Sequence, residues 1–313
     1  MNERTDFISS IDMEYDSDFW NYLKMKNYQP ERLSARKISG DGGFELPYGD
    51  AGKLQSLLYK ENMMRRICTL VNACGSEYTI LAKKCDDISL WVKEGDQIPF
   101  YEGMNDFTPV AVQNFKLCSF VKLDEEFVRD ATFNFKDYLL KRFAKCFGRQ
   151  EENAFLCGDG NGKPTGVLHP EHGAEVACTV QEITADDIIK LFFSLKPEYR
   201  RDAVWIMNDA TALHLRKLKD DSGNYLWRST DDSIFGRKVM ISNFMPDMES
   251  GAMPVVFGDF SYYWIICRKL PGFKTLTEEF CIYSQVGYLG TERMDGKLVR
   301  REAVKAIRMA EQG

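Results

Sequence analysis

The sequence predicts a mixed α+β protein built in two units, and three observations carry that prediction. Residues 134–156 repeat apolar side chains at helical spacing for longer than an ordinary helix. Residues 67–123 switch to β-branched and aromatic runs that alternate along the chain. Residues 183–287 interleave short helices with short apolar strands. With 313 residues and 44% hydrophobic content, the chain can bury two cores.

Taken in order, residues 1–39 are polar and mixed in charge. Ser17 is placed to cap a short helix over 18–26, on which Phe19, Trp20, Tyr22 and Leu23 form an apolar face. Lys24, Lys26, Arg32, Arg36 and Lys37 make the next stretch basic. An amphipathic helix is predicted over 50–66, with Leu54, Leu57, Leu58 and Met63 on one side and Arg65-Arg66 at its end.

Strands are predicted at 67–71, 78–81 and 88–92, and a longer alternating run follows Pro109. There Phe115, Leu117, Ser119, Val121 and Leu123 share one face, opposite Lys116 and Lys122. Residues 93–103, between the strands, are rich in Gly, Pro and acids. The pattern is an extended two-stranded arm with an acidic tip. Such an arm is marginal in water and exposes unpaired edges, so it makes physical sense when a partner covers Trp91, Phe100, Tyr101 and Phe107. The plainer alternative is a hairpin folded back on its own subunit.

A short helix over 124–131 precedes the long one. Asn134 stands as its N-cap, and Phe135, Leu139, Phe143, Phe147 and Ala154 fall on one stripe. At 1.5 Å per residue the rod is roughly 35 Å long. It stops at Gly158-Asp159-Gly160-Asn161-Gly162-Lys163-Pro164-Thr165-Gly166. This is not a phosphate-binding loop: Cys157 stands where the first glycine belongs, and Pro164 where the hydroxyl belongs. Nor is it a calcium loop, because Lys163 and Pro164 occupy the fifth and sixth positions. The remaining reading is a structural reversal in which Gly158 caps the helix and Pro164 seals the exit.

Beyond the turn, Thr184 caps a helix bearing Ile188, Ile189 and Phe192, stopped by Pro197. A strand at 203–207, a helix from Asn208 to Leu218, a turn at 220–224 and strands at 238–241, 254–257 and 262–267 complete the second unit.

Composition excludes several function classes. The longest uncharged apolar run, 262–267, is far short of the 18 or so residues of a membrane span. Residues 1–18 are acidic with no apolar core, so no secretory signal is read there. Nine cysteines without a C-x-x-C pair read as reduced thiols. His169 and His172 flank Pro170 with no cysteine pair nearby, which reads as a solvated loop rather than a zinc site. Asp159, Lys163 and His169 are the one cluster an enzyme could use, yet no nucleophile elbow or paired catalytic carboxylates accompany them. The expectation is a protein that is not an enzyme and needs no cofactor or metal. A net charge of −6 argues against a surface that wraps nucleic acid.

The helix followed by N-A-F-L-C-G-D-G-N-G-K-P-T-G-V-L resembles the "GDGxGKPxG" turn after the spine helix of tailed-bacteriophage major capsid proteins, the Hong Kong 97 (HK97) fold. Further landmarks follow in the family's order. Leu215-Arg216-Lys217-Leu218-Lys219-Asp220-Asp221-Ser222-Gly223-Asn224-Tyr225-Leu226-Trp227 is similar to "LrxlkDxxGxylw". Gly236-Arg237-Lys238-Val239, Phe257-Gly258-Asp259-Phe260 and Arg293-Met294-Asp295-Gly296 each resemble a family motif, as does Gly42-Gly43-Phe44-Glu45-Leu46-Pro47 upstream. The resemblance covers residues 40 to 310.

It implies an HK97-like α+β capsid fold with an N-terminal arm at 1–49 that docks on a neighbour and an E-loop at 77–111. The peripheral domain would be discontinuous, from 50–76, 112–182 and 288–313, with its spine helix at 134–156 and with 297–309 completing its sheet. The axial domain would span 183–287. The implied function is a major capsid protein that assembles through pentamers and hexamers into an icosahedral shell. That shell would enclose phage DNA without reading its sequence. A scaffold, as a separate protein or a removed segment, and a portal are the other implied partners, with assembly in the host cytoplasm and residence in the virion.

The implied assembly contacts are Trp20, Trp91, Lys93, Phe100 and Tyr101, together with Arg65, Arg293 and Asp295 as intersubunit charge pairs. Some relatives join a lysine of this loop to an asparagine of another subunit. Lys93 is the nearest candidate here, and no crosslink is assigned. Encapsulins, bacterial compartments of similar architecture, are the alternative; they typically lack the long polar arm and this glycine turn.

Overall fold

The computed structural model describes residues 2–38, 43–72, 78–83, 91–93, 107–130, 132–219, 223, 225, 227, 232–268 and 270–311. The expected strand at 88–92, the arm tip with Phe100 and Tyr101, and most of the 220–224 turn fall largely or wholly outside these residues.

The chain opens with α1 (Asn2–Leu23) and α2 (Pro30–Ser34). The expected short helix capped by Ser17 is corrected: Ser17 lies inside a 22-residue helix. Its cause is tertiary. Tyr15, Phe19 and Leu23, four apart, are all buried in the body, so packing extends a helix that local signals did not predict. A two-residue strand β1 (Phe44–Glu45) leads into α3 (Tyr48–Glu61) and α4 (Met64–Ile67). The single helix expected over 50–66 therefore breaks at Asn62. Its side-chain oxygen accepts the N–H of Met64 at 2.8 Å and starts a new turn, an interruption short polar side chains commonly cause.

Strand β2 (Thr69–Asn72) leads to the arm, β3 (Tyr78–Lys83) and β4 (Phe107–Val112), followed by β5 (Phe115–Asp124). Strands β3 and β4 form an antiparallel two-stranded sheet of their own, from Tyr78 opposite Val112 to Lys83 opposite Phe107. Along β5 the predicted face, Phe115 through Leu123, is the covered one. After α5 (Glu125–Arg129) comes the long helix α6 (Phe135–Cys157), whose cap Asn134 accepts the Asp137 N–H at 3.2 Å.

The later elements are β6 (Glu175–Val180), α7 (Ala185–Ser194), α8 (Pro197–Arg200), β7 (Val204–Met207) and α9 (Asp209–Lys217). Then come β8 (Ser233–Ile234), β9 (Arg237–Ile241), β10 (Val255–Gly258), β11 (Tyr263–Cys267), β12 (Gly272–Leu276), β13 (Gln285–Leu298) and β14 (Val304–Met309). Thr184 and Asp187 form a reciprocal capping box on α7, and Asn208 caps α9, as their positions predicted.

Two six-stranded sheets organise the body. In the first, the 14-residue β13 is central: β12, β11 and β5 all pair with it, and β1 and β2 extend the sheet. The second runs β6-β14-β10-β7-β9-β8. The expected sorting of strands is corrected here. The sequence groups residues 262–267 with the second unit, but β11 lies in the first sheet, parallel to β2. The resemblance implies that 297–309 complete the first sheet, but β14 lies between β6 and β10 of the second. Chain order cannot reveal this, because β13 and β14 are joined by a five-residue corner at which the strand changes sheets.

Helix α6 packs its aromatic stripe on the first sheet: Phe143 and Phe147 meet Gly290 of β13, where an added Cβ would lie 2.7 Å from the Phe143 ring. Helix α3 lies beside α6. A second core joins the end of α6 to β10, β11 and β13, and a third fills the space between α7, α9 and the second sheet.

Candidate functional site

The end of α6 is where the two sheets and the segment leading into the arm are tied together. The apolar stripe Phe135, Leu139, Phe143, Phe147 continues at the same four-residue step to Glu151, which is buried. A carboxylate on a buried stripe needs a cationic partner. Arg65 of α4 supplies it, with Nε 2.6 Å from Oε2 and Nη2 2.7 Å from Oε1 of Glu151. The same Nη2 reaches Glu292 of β13 at 3.2 Å, and Asn62 donates to Glu151 at 3.0 Å. Burial, reinforced by the charge of Glu151, pushes the Glu292 carboxyl up to about 8. Cys267, beside the cluster, is pushed up to about 12 by burial. Glu152 serves the other side: it accepts the Met63 N–H at 3.0 Å and the Ser242 hydroxyl at 2.6 Å.

The glycine turn is sealed onto the helix by Gly166 N–H to Gly158 O at 2.9 Å, Val167 to Phe155 at 2.8 Å and Leu168 to Leu156 at 2.8 Å. The buried Tyr263 hydroxyl donates to Thr165 O at 2.8 Å, and Thr165 N–H reaches Gly296 O at 3.2 Å. Gly158 ends the helix, but not by a left-handed cap: its φ is −67°. An added Cβ there would lie 2.0 Å from the Pro164 carbonyl oxygen, so close backbone approach explains the glycine. Gly160 and Gly162 do take positive φ, +74° and +70°.

The polar residues of the turn are satisfied locally. Asp159 accepts the Asn161 N–H at 3.1 Å, which holds its carboxyl below the usual range, and lies 3.8 Å from Lys163 in an exposed pair. The His169 ring nitrogen Nδ1 accepts the N–H groups of Glu171 and His172, at 3.2 and 3.1 Å, so it organises its own loop.

At the arm root, three side chains hold consecutive backbone groups. Asp295 Oδ2 accepts the Gln113 N–H at 2.7 Å, Arg268 Nη2 donates to Val112 O at 3.0 Å, and Lys297 Nζ donates to Ala111 O. Asp295 is fully buried, which pushes its carboxyl up despite the Gln113 bond, Lys297 and Arg268.

Three of the expected assembly contacts are engaged within their own subunit. Trp20 is buried in its own subunit, with its indole N–H 2.8 Å from Asp50 Oδ2. Arg65 is saturated by internal glutamates, and Asp295 faces inward. Trp91 and Lys93 are exposed, Trp91 fully so, and Arg293 is half-buried. Phe100 and Tyr101 lie outside the described residues. Sequence reasoning missed Asn62, Glu151, Glu152, Arg268, Glu292 and Lys297; the signal for Glu151 was its place on the apolar stripe.

The phage capsid family model matches residues 42–309. This chain belongs to the phage capsid family. Among solved structures it is similar to the capsid of a native GTA particle computed with C5 symmetry. The TM-score is 0.63 at 26% identity, covering 79% of this chain and 89% of the other. The capsid of the empty GTA particle gives 0.62 at 27% identity, with the same coverage. A structure from Microbacterium phage Oxtober96 shares the fold, with a TM-score of 0.56 at 16% identity over 80% and 91% of the chains. No curated protein sequence matches. The mixed α+β capsid fold implied by the sequence resemblance is the fold of this family member, and the matched structures are phage and GTA capsids.

Proposed function

We propose that this chain is the major capsid protein of a tailed phage or prophage, copies of which close into an icosahedral shell through five- and six-membered rings. The observation that carries this reading is the shared fold, over 79% of the chain, with subunits of particles computed with C5 symmetry. The chemistry is repeated burial of modest contacts rather than catalysis, so errors in assembly can be released and corrected. DNA is enclosed without base recognition, consistent with the net charge of −6. A scaffold and a portal are further partners, with assembly in the bacterial cytoplasm before residence in the virion.

Within this reading 77–111 is the E-loop, and Trp91, Lys93, Phe100, Tyr101 and Arg293 are its and the body's candidate contacts. The body divides by sheet rather than at residues 183 and 287: the first sheet with α6 is the peripheral part, and the second with α7 and α9 is the axial part. Residues 15–38, packed on their own body, support the subunit before they support a neighbour.

Negative-stain microscopy of the purified protein with light scattering tests the reading. Closed particles, tubes, or rings of five or six are expected. A strict monomer at high concentration, with scaffold supplied, would overturn it.

A further inference from the structure

We propose that Asp295 is a positioning residue for the arm: with Arg268 and Lys297 it fixes the direction in which β4 leaves the body. This rests on the reading of the chain as a shell subunit. The argument begins with what else holds the arm. Among the described residues β3 and β4 pair only with each other, so no neighbouring strand of the body orients their ladder. Where β4 reaches the body, the apolar contact is small: Val112 and Ile266 are buried, with Val71 and Trp264 packed on them. Four side chains resist separation but slide easily, because apolar contact is non-directional.

Hydrogen bonds are directional, and here three of them act on Ala111 O, Val112 O and Gln113 N–H in succession. All three donors or acceptors come from β11, β13 or the residue directly after β11, at the heart of the first sheet. Asp295 is the pivot of the set. Its Oδ2 takes the Gln113 N–H while its Oδ1 takes the N–H of Gly296 at 2.8 Å, so its own rotamer is locked. Lys297 lies 3.8 Å from the same carboxylate and holds the neighbouring carbonyl. Charge-assisted bonds of this kind are stronger than neutral ones, and a fully buried carboxylate has no water to exchange them with. Among the described residues neither six-stranded sheet of the body takes in β3 or β4, so the body's strand pairing does not need this device. A shell does need it: a small error in arm angle grows along the arm and is repeated at every subunit.

The test uses hydrogen exchange on soluble full-length subunits, followed by microscopy of assembled material. In Asp295→Ala, exchange at residues 111–113 and along β4 should rise at least tenfold, while the amides of α6 stay as in the wild type. Particles should become mixed in size or fail to close. Asp295→Asn, which keeps one acceptor oxygen, should restore part of the protection. Lys297→Met keeps the side-chain stem and both Asp295 hydrogen bonds, and should loosen the same amides if Asp295→Ala fails to fold. An equal rise in exchange at α6 in both variants would make the cluster merely structural and overturn the proposal. Unchanged protection at 111–113, or uniform wild-type shells from a subunit with a loosened root, would overturn it as well. The exchange result does not depend on assembly, so a wild-type protein that never assembles would sink the shell reading separately.

Discussion

Arg65 and Glu151 meet through two parallel bonds, 2.6 and 2.7 Å long, at a point where both side chains are almost wholly shielded from solvent. The pair joins the segment leading into the arm to the end of the long helix. Glu292 joins the central strand to both. Removing the guanidinium leaves two buried carboxyls facing each other without a cation. Arg65→Met is therefore expected to destabilise the subunit by about 3–5 kcal/mol, the range for breaking one partner of a buried ion pair. Denaturant unfolding of wild type and variant measures it, and a loss below about 1 kcal/mol would show that the cluster relaxes or admits water.

The same cluster gives stability a pH dependence. Glu292 has its folded-state value raised to about 8 from an ordinary 4.5. Between those values the folded subunit holds a proton that the unfolded chain has released, so stability falls as pH rises through this window. Below about 4.5 both states are protonated and the contribution is complete. Glu292→Gln keeps a donor in place of the protonated carboxyl and has nothing to titrate. The wild type should lose stability relative to this variant by up to about 1.4 kcal/mol per pH unit across the window. Parallel unfolding curves for the two proteins from pH 5 to pH 8 would contradict the assignment.

Two glycines of the turn separate two reasons for glycine. At Gly158 the obstacle is backbone, with Pro164 O and Ala154 O at 2.0 and 2.4 Å from an added Cβ. At Gly162 nothing lies within 4 Å, and only the positive φ of +70° disfavours a side chain. Gly162→Ala should cost about 1–2 kcal/mol, the penalty for a left-handed L-residue. Gly158→Ala should cost about 3 kcal/mol, at the top of the overpacking range, because neither carbonyl can move without opening the turn. Thermal melts of both variants decide this, and the reverse order would mean that the turn yields more easily than the backbone contacts imply.

Much of this architecture was legible because local chemistry and tertiary packing agree. Asn134, Thr184 and Asn208 each place a capping oxygen where a helix starts, and β5 alternates because one of its faces is covered. The misses share a physical cause. Helix α1 is lengthened by Tyr15, Phe19 and Leu23 docking on the body, which no window of residues 1–26 reports. Strand β14 joins the second sheet through pairing with β6 and β10, more than 45 residues away in sequence on either count. At the site, Arg65 and Asp295 read as surface charges because charged side chains usually are; their partners, Glu151 and Gln113, come from remote segments. The stripe that runs into Glu151 was the only local hint that the charge is buried.

The arm offers the sharpest separation of subunit from shell. Among the described residues its ladder is self-contained, and neither six-stranded sheet of the body includes it. An isolated two-stranded ribbon is only marginally stable, and it persists when something else covers its edges and side chains. Trp91, the most exposed large apolar residue described, is the kind of group such a cover would bury, since an indole left in water is ordinarily found at a contact site. Deleting residues 93–103 and joining the strands with a short flexible link should therefore leave a soluble subunit. Its helix content and unfolding midpoint should stay close to the wild type, and microscopy should find no closed shells. Circular dichroism and light scattering on the same sample read both halves of the prediction. If the truncated chain unfolds, the loop belongs to the core of its own subunit; if it still closes normal shells, the contacts that seal the particle lie elsewhere on the body.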